Sequence, residues 1–263
     1  PEVDAVYIAT PPHIHEQYTR LCADAGKHVF VEKPMALTQA QCLAMVDVCH
    51  QANVRLWVAY YRRTLPRFLK IKFIVDSGQL GTINSVSITL HRTPISVDYG
   101  NELPWRVVPE IAGGGLILDV GVHMLDFLDY VLGPIQSVQG HAINHAGSYP
   151  AEDHVVGSFV FESGVLGTGE WYFNSYKSLD ETIITGTKGE IRYSTFDTAP
   201  ITIITAEGTH TLEIDNPPHV HQPLIQSIVD EMNGEGACPS TGISGARTAW
   251  VIDELLKTYH QTD

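Results

Sequence analysis

The sequence is poor in the features that mark many functional classes. No run of lysines or arginines interrupts its 263 residues, and the formal net charge is −14. Such a surface repels phosphate backbones, so nucleic acid is not an expected partner. The four cysteines, Cys22, Cys42, Cys49 and Cys238, form no CxxC pair. Three of them fall in stretches with helical patterning, where a free thiol behaves as a small buried hydrophobe, and a reducing cytoplasm fits this usage. No segment approaches the length of a membrane span, and the charged, alternating start lacks the apolar region of a signal peptide, so no membrane partner is expected. The chain opens on Pro1 in place of methionine, as a fragment would.

What is present is a globular composition. With 44% hydrophobic residues the chain can build cores for two domains of ordinary size. The first sixty residues alternate short apolar runs with helical patterns, the mark of βαβ units around a parallel sheet. Residues 3–9 read as a buried strand ended by Pro11-Pro12, and 14–25 as a helix stopped by Gly26. A strand follows over 28–31. Thr38 then precedes a helix whose apolar positions are Ala40, Leu43 and Val46, and a third strand spans 55–59. This is the second half of a doubly wound parallel sheet. No strand leads into GxGxxG, so the usual cradle for dinucleotide phosphates is missing.

After Tyr61 the strands alternate in polarity, as at 85–90, 155–161 and 201–205, which predicts a mostly antiparallel sheet with one covered face. The domain boundary is placed there, giving 1–60 and 61–263. A glycine turn at 185–191 reads as a hairpin, and 244–259 as a helix packed through Ala246, Ala249, Ile252 and Leu256. Trp171, Phe173 and Tyr176 read as large residues on the outward sheet face, which predicts an oligomer.

Two segments carry chemistry. Glu32-Lys33-Pro34 follows the strand Val29-Phe30-Val31, at the strand end where doubly wound sheets bind ligands. Taken alone, it is most simply an exposed strand end. The run from Gly113 through Asp126 places three glycines before an almost wholly apolar helix, with Asp119 and His123 four apart on one face and Asp126 one turn further. A buried helix that keeps a carboxylate and an imidazole on one stripe must pair them or use them. His13-Ile14-His15 and His219-Val220-His221 have the alternation of paired metal ligands, but no cysteine or carboxylate cluster accompanies them, and no metal is expected.

These pieces together resemble the Gfo/Idh/MocA oxidoreductases, the glucose-fructose oxidoreductase and inositol dehydrogenase type. The resemblance adds Ala9-Thr10-Pro11-Pro12 with His15, Tyr61-Arg62-Arg63, Trp105-Arg106, and Gly186 to Ile191, and it covers essentially the whole chain. It implies a Rossmann domain, here lacking its front, followed by an α/β domain with a large, mostly antiparallel open sheet that mediates assembly into a homodimer or homotetramer. It implies NAD or NADP as cofactor and a sugar, cyclitol or related polyol as substrate.

By the same resemblance Lys33, Asp119 and His123 are catalytic. His123 is the base that takes the hydroxyl proton, Lys33 binds the same oxygen, and Asp119 orients the site. Thr10, Pro11, His15, Glu32 and Lys33 line the nicotinamide half of the cofactor. Arg62, Trp105, Arg106 and His123 contact substrate, with 92–106 as a loop entering the cleft. Tyr61 stands where the family commonly has asparagine. A dinucleotide- or sugar-sensing regulator and a glycosidase using NAD as a redox relay are the alternative functions. The chain as given, without the phosphate cradle, is expected to be inactive.

Overall fold

The computed structural model describes residues 2–94 and 103–260. In the first part, β1 (Ala5–Ile8), β2 (His28–Val31) and β3 (Leu56–Val58) lie in that order as parallel neighbours, with Ala5 beside His28 and Val29 beside Leu56. Parallel neighbours need crossovers, and these are α1 (His15–Asp24), entered through a 3-10 turn at Pro12–Ile14, and α2 (Gln39–Gln51). Thr38 caps α2 by accepting the Gln41 N–H at 3.3 Å. The buried face of α2 is Cys42, Met45 and Cys49; Ala40 and Leu43 are exposed and Val46 is half-buried. The face expected from Ala40, Leu43 and Val46 is thus displaced by one to two positions, because the buried thiols serve as apolar residues. All four cysteines are free.

The chain then forms α3 (Pro66–Asp76), β4 (Ile83–His91), the short α4 (Pro109–Ala112), α5 (Val122–Leu132), β5 (Ile135–Ile143), β6 (His154–Phe161), β7 (Leu166–Tyr172), β8 (Leu179–Gly186), β9 (Gly189–Tyr193), β10 (Ile201–Thr205), β11 (Gly208–Leu212), α6 (Gln222–Met232) and α7 (Gly242–Leu256). The eight strands make one sheet in the order β11-β10-β9-β8-β4-β7-β6-β5. Only β4 and β7 run parallel to each other; the other neighbours are antiparallel. The β8–β9 connection through Thr187 and Lys188 is the hairpin read from the glycine turn.

One face of this sheet carries Val86, Ile88, Leu90, Phe159, Trp171, Ile184 and Ile191, all buried. The α5 helix lies against it, with Phe127 edge-on to Tyr193 at 5.9 Å and to Phe68 of α3 at 4.8 Å. Trp171 and Phe173 therefore belong to the core. The expectation that they face outward fails because strand alternation puts Glu170 and Tyr172 on the open side, joined there by the exposed Val156, Leu166 and Ile143. Tyr176 is fully exposed.

The run Pro109–Leu132 is long and apolar enough, by length and composition, to cross a membrane, contrary to the expectation that no segment would be. It is mostly buried inside the protein, and its composition reflects the core helix it supplies. The last helix ties the two sheets together: α7 packs on α2 and β5, and Thr241 before it pairs with Trp57 of β3.

Candidate active site

The C-terminal end of β2 and the N-terminal end of α5 meet at the crevice between the two sheets. Chain order brings Glu32, Lys33 and Pro34 there because β2 ends at Val31; the Lys33–Pro34 peptide is cis. From the other side, Gly113 takes a left-handed conformation that ends α4, with φ of 90°. Gly115 has no space for a side chain, since a Cβ would meet the main-chain oxygen of Glu152 at 2.3 Å. The backbone then passes through a π-helical turn, Ile117–Gly121, before α5 begins. Such insertions often mark functional positions.

This turn separates Asp119 from His123. The two do not pair, contrary to what their spacing predicts, because the four-residue neighbour rule holds for an α-helix and not across a π turn. Asp119 turns to Lys33, whose Nζ donates to Oδ1 at 2.5 Å and to the main-chain oxygen at 2.9 Å. Arg106 approaches the same Oδ1 at 3.6 Å and stacks on Trp105 at 4.3 Å. Asp126, expected on the same stripe, faces the interior. Its carboxylate receives Nε and Nη2 of Arg63 at 2.8 and 2.7 Å, and Arg63 also reaches Asp129, which Arg247 grips from the other side. Burial pushes the Asp126 carboxyl up and Arg63 pulls it back down.

His123 is 4% exposed, and its Nδ1 is buried with no hydrogen-bond partner among the described residues. Its walls are aromatic: Tyr61 at 5.4 Å, Tyr60 at 6.0 Å and Phe196 at 6.2 Å between ring centroids. Burial, reinforced by the cations Arg62 and Lys33, holds its pKa well below the ordinary histidine value. The imidazole is neutral at neutral pH and can accept a proton.

On the side of the smaller sheet, Thr10 Oγ1 is buried without a partner. The Tyr7 hydroxyl donates to Glu32 Oε1, and the Lys33 N–H donates to Glu32 Oε2 at 3.0 Å. His15 is fully buried, with Nδ1 3.1 Å from the carbonyls of Pro34 and Met35 and Nε2 2.8 Å from that of Thr10. At His15, expected on the cofactor side, backbone oxygens lie against both ring nitrogens, and the residue ties the Thr10–Pro11 loop to the loop after Lys33. Pro11 precedes the 3-10 turn on the same rim. Of the loop expected over 92–106, residues 95–102 lie outside the described residues.

Arg62 is buried, lies over the rings of Tyr61 and Phe196 at 4.9 and 4.6 Å, and donates from Nε to the Thr195 carbonyl at 3.3 Å. Sequence reasoning missed three residues of this region. Phe196 carries no signal, being a loop aromatic after β9. His221, tilted on Tyr61 at 4.6 Å, was weighed only as a metal ligand, and among the described residues no three metal-binding side chains gather. Glu152 lies deep under the glycine run and accepts the Gly115 N–H at 2.7 Å; its signal was an adjacent acidic pair, Glu152-Asp153, ahead of a strand.

Comparison with known proteins fits this arrangement. Residues 1–60 match the oxidoreductase family with an NAD-binding Rossmann fold, and residues 68–192 match the GFO/IDH/MocA C-terminal domain. Oxidoreductase P35 of Formosa agariphila is 33% identical over 257 residues, covering 97% of this chain and 79% of that protein. The chain belongs to the Gfo/Idh/MocA oxidoreductases. Among other relatives of this Gfo/Idh/MocA chain, the 1,5-anhydro-D-fructose reductase of Ensifer adhaerens is 30% identical, with 93% of this chain and 74% of that enzyme covered. A solved levoglucosan dehydrogenase in complex with NADH and levoglucosan superposes on the fold with a TM-score of 0.88 at 24% identity, over 100% of this chain and 80% of that one. The family is one of NAD(P)-dependent oxidoreductases, and this chain is an enzyme of that kind.

Proposed function

We propose that the enzyme transfers a hydride between NAD or NADP and a hydroxyl-bearing carbon of a sugar, cyclitol or related polyol, with His123 as the proton acceptor. The observation that carries this reading is the buried His123 imidazole, its Nδ1 without a partner among the described residues, in a wall of aromatic rings beside the Lys33–Asp119 pair. A buried imidazole that lacks a partner is costly unless a ligand supplies one.

The residues at the ends of β1 and β2 fit the nicotinamide half of a dinucleotide. Thr10 Oγ1 is an orphaned buried hydroxyl, and the Glu32 carboxylate, steadied by Tyr7, can accept from a ribose hydroxyl. When bound there, the cofactor supplies the hydride acceptor or donor. His123 takes the proton of the substrate hydroxyl in oxidation and returns it in reduction. Lys33 donates a hydrogen bond to the oxygen on which negative charge develops. Asp119 acts on Lys33, holding the ammonium group in place, a narrower part than orienting the whole site. Tyr61 and Phe196 offer faces to the sugar ring, and Arg62, Trp105 and Arg106 form the substrate side.

Residues 1–263 contain no GxGxxG turn, so binding of either cofactor by this polypeptide alone is proposed to be weak. Assembly through the open face of the larger sheet belongs to the same reading, supported by the exposed Val156, Leu166 and Ile143. The division into 1–60 and 61–263 and a cytoplasmic setting complete it. Incubating the enzyme with NAD or NADP and a panel including levoglucosan, 1,5-anhydro sugars and myo-inositol tests it by the reduced cofactor formed. Absence of cofactor reduction across the panel, with glycoside cleavage in its place, would refute it.

A further inference from the structure

Arg62 and Arg92 share the Phe196 ring beside His123, and Arg67 lies in the interior behind them, bound to Ser194 next to the Thr195 carbonyl that Arg62 holds. Arg62 is 6% exposed and Arg67 2% exposed. Arg62 Nη1 and Arg67 Nε and Nη1 are buried with no hydrogen-bond partner. Arg67 Nη2 has only the Ser194 carbonyl at 3.4 Å. Arg92 lies over the Phe196 ring at 4.9 Å, while Arg62 lies over the same ring at 4.6 Å. Asp180 lies near enough for its charge to act on Arg62 and Arg67, and Arg62 hydrogen-bonds to Tyr61, but the Asp180 oxygens accept from Ser194 Oγ at 2.7 Å and from the N–H groups of Thr195 and Phe196 at 3.1 and 2.6 Å, not from a guanidinium. None of the three arginines makes an ion pair with a carboxylate among the described residues, whereas Arg63, next in sequence to Arg62, has two.

An unpaired guanidinium in a protein interior carries a large desolvation cost, and it is retained where a counter-ion arrives with the ligand. The planar group of Arg62 packs against the rings of Tyr61, Phe196 and Phe68 at 4.9, 4.6 and 5.8 Å, which restrains it, and a guanidinium is the group suited to bidentate binding of a carboxylate. The chain is acidic overall, so a cationic cluster here is a local construction. Arg62 and His123 both pack on Tyr61 and Phe196, which puts them within the reach of one sugar ring.

We propose that the substrate is an acidic sugar, a uronate or aldonate, whose carboxylate is bound by Arg62 with Arg92 beside it while a hydroxyl of the same molecule faces His123. This rests on the oxidoreductase reading above and narrows its substrate class. The charge of the carboxylate completes the cluster, and a neutral polyol of the same shape brings Arg62 no counter-ion of its own.

The test is calorimetric titration of the protein with D-glucuronate, D-glucose and D-glucose 6-phosphate, with and without saturating NADH. Glucuronate is expected to bind about ten- to a hundred-fold more tightly than glucose, as for one charge-assisted bidentate contact. Arg62→Met should abolish that preference, and Arg62→Lys should retain part of it. Should Arg62→Met fail to fold by circular dichroism, Arg92→Met serves in its place and should reduce the preference. Equal affinity for glucuronate and glucose, no binding of any of the three, a preference for the phosphate, or a preference that survives the variants would each overturn the proposal. Failure of the redox reading looks different: an Arg62-dependent preference for glucuronate would stand even where no sugar reduces NAD or NADP.

Discussion

Lys33 Nζ grips Asp119 at two points, the side chain at 2.5 Å and the main-chain oxygen at 2.9 Å, across 86 positions of sequence. The second contact matters because it pins the π-helical turn itself, so the ammonium group and the backbone leading to His123 move as one. Removing either partner therefore affects both charge and position.

Replacing His123 by Asn or Lys33 by Met is expected to lower kcat by about two to four orders of magnitude in the full enzyme, with little change in cofactor affinity. Asp119→Asn should have a smaller effect, about ten-fold to a hundred-fold, since Lys33 keeps the main-chain contact. Steady-state kinetics with fluorescence titration of the reduced cofactor separate the two quantities. Near-normal kcat for both His123→Asn and Lys33→Met would remove these residues from the chemistry.

The acid limb of kcat/KM is expected below pH 6.5, the ordinary histidine value. His123 must be neutral to accept a proton, and burial together with Arg62 and Lys33 lowers its pKa, so activity is kept as the pH falls past 6.5 and lost only as it passes the depressed value. Arg62→Met removes one of those cations and should move the limb upward. A wild-type limb at or above pH 6.5 contradicts the electrostatics described here.

Arg63 and Asp126 are both buried and joined by two hydrogen bonds to the carboxylate and one to the main-chain oxygen, with Asp129 and Arg247 extending the network. Breaking the pair by Asp126→Ala leaves Arg63 partly uncompensated and should cost about 3 to 5 kcal/mol of folding stability. The double variant Arg63→Met/Asp126→Leu should recover much of that loss, since the Asp129–Arg247 contact remains. Urea unfolding of the two variants gives the comparison, and a double variant as unstable as the single one speaks against an ion-pair origin.

Burial pushes the Glu152 carboxyl up to about 7 from 4.5, despite its bond from the Gly115 N–H. Because the folded pKa is raised, the native state holds the extra proton between those values, and stability falls as pH rises through that window. The effect is on the order of 3 kcal/mol. Glu152→Gln should flatten the difference in stability between pH 5 and pH 8. An unchanged profile would mean that Glu152 ionises freely in the folded protein.

The sequence by itself determined the class of each half of the chain. Period-two and helical patterning are local properties, and they placed β2, the Thr38 cap of α2, the β8–β9 hairpin and the alternating strands of the larger sheet. The ordered motifs around Lys33, Asp119 and His123 likewise pointed to one family by their resemblance to it as a set, since a motif in the chain order is legible without the fold. What only the tertiary structure decided is which groups pair. Asp119 and His123 look like partners in a regular helix, but a π turn, invisible in the residue pattern, sends one to Lys33 and leaves the other alone among aromatic rings. Trp171 and Phe173 read as surface residues until the strand pleat and α5 were in place. Glu152, Phe196 and the arginine cluster gain meaning only through burial, which is set by elements far apart in the chain packing over them, and no local pattern records which carboxylate a buried guanidinium will find.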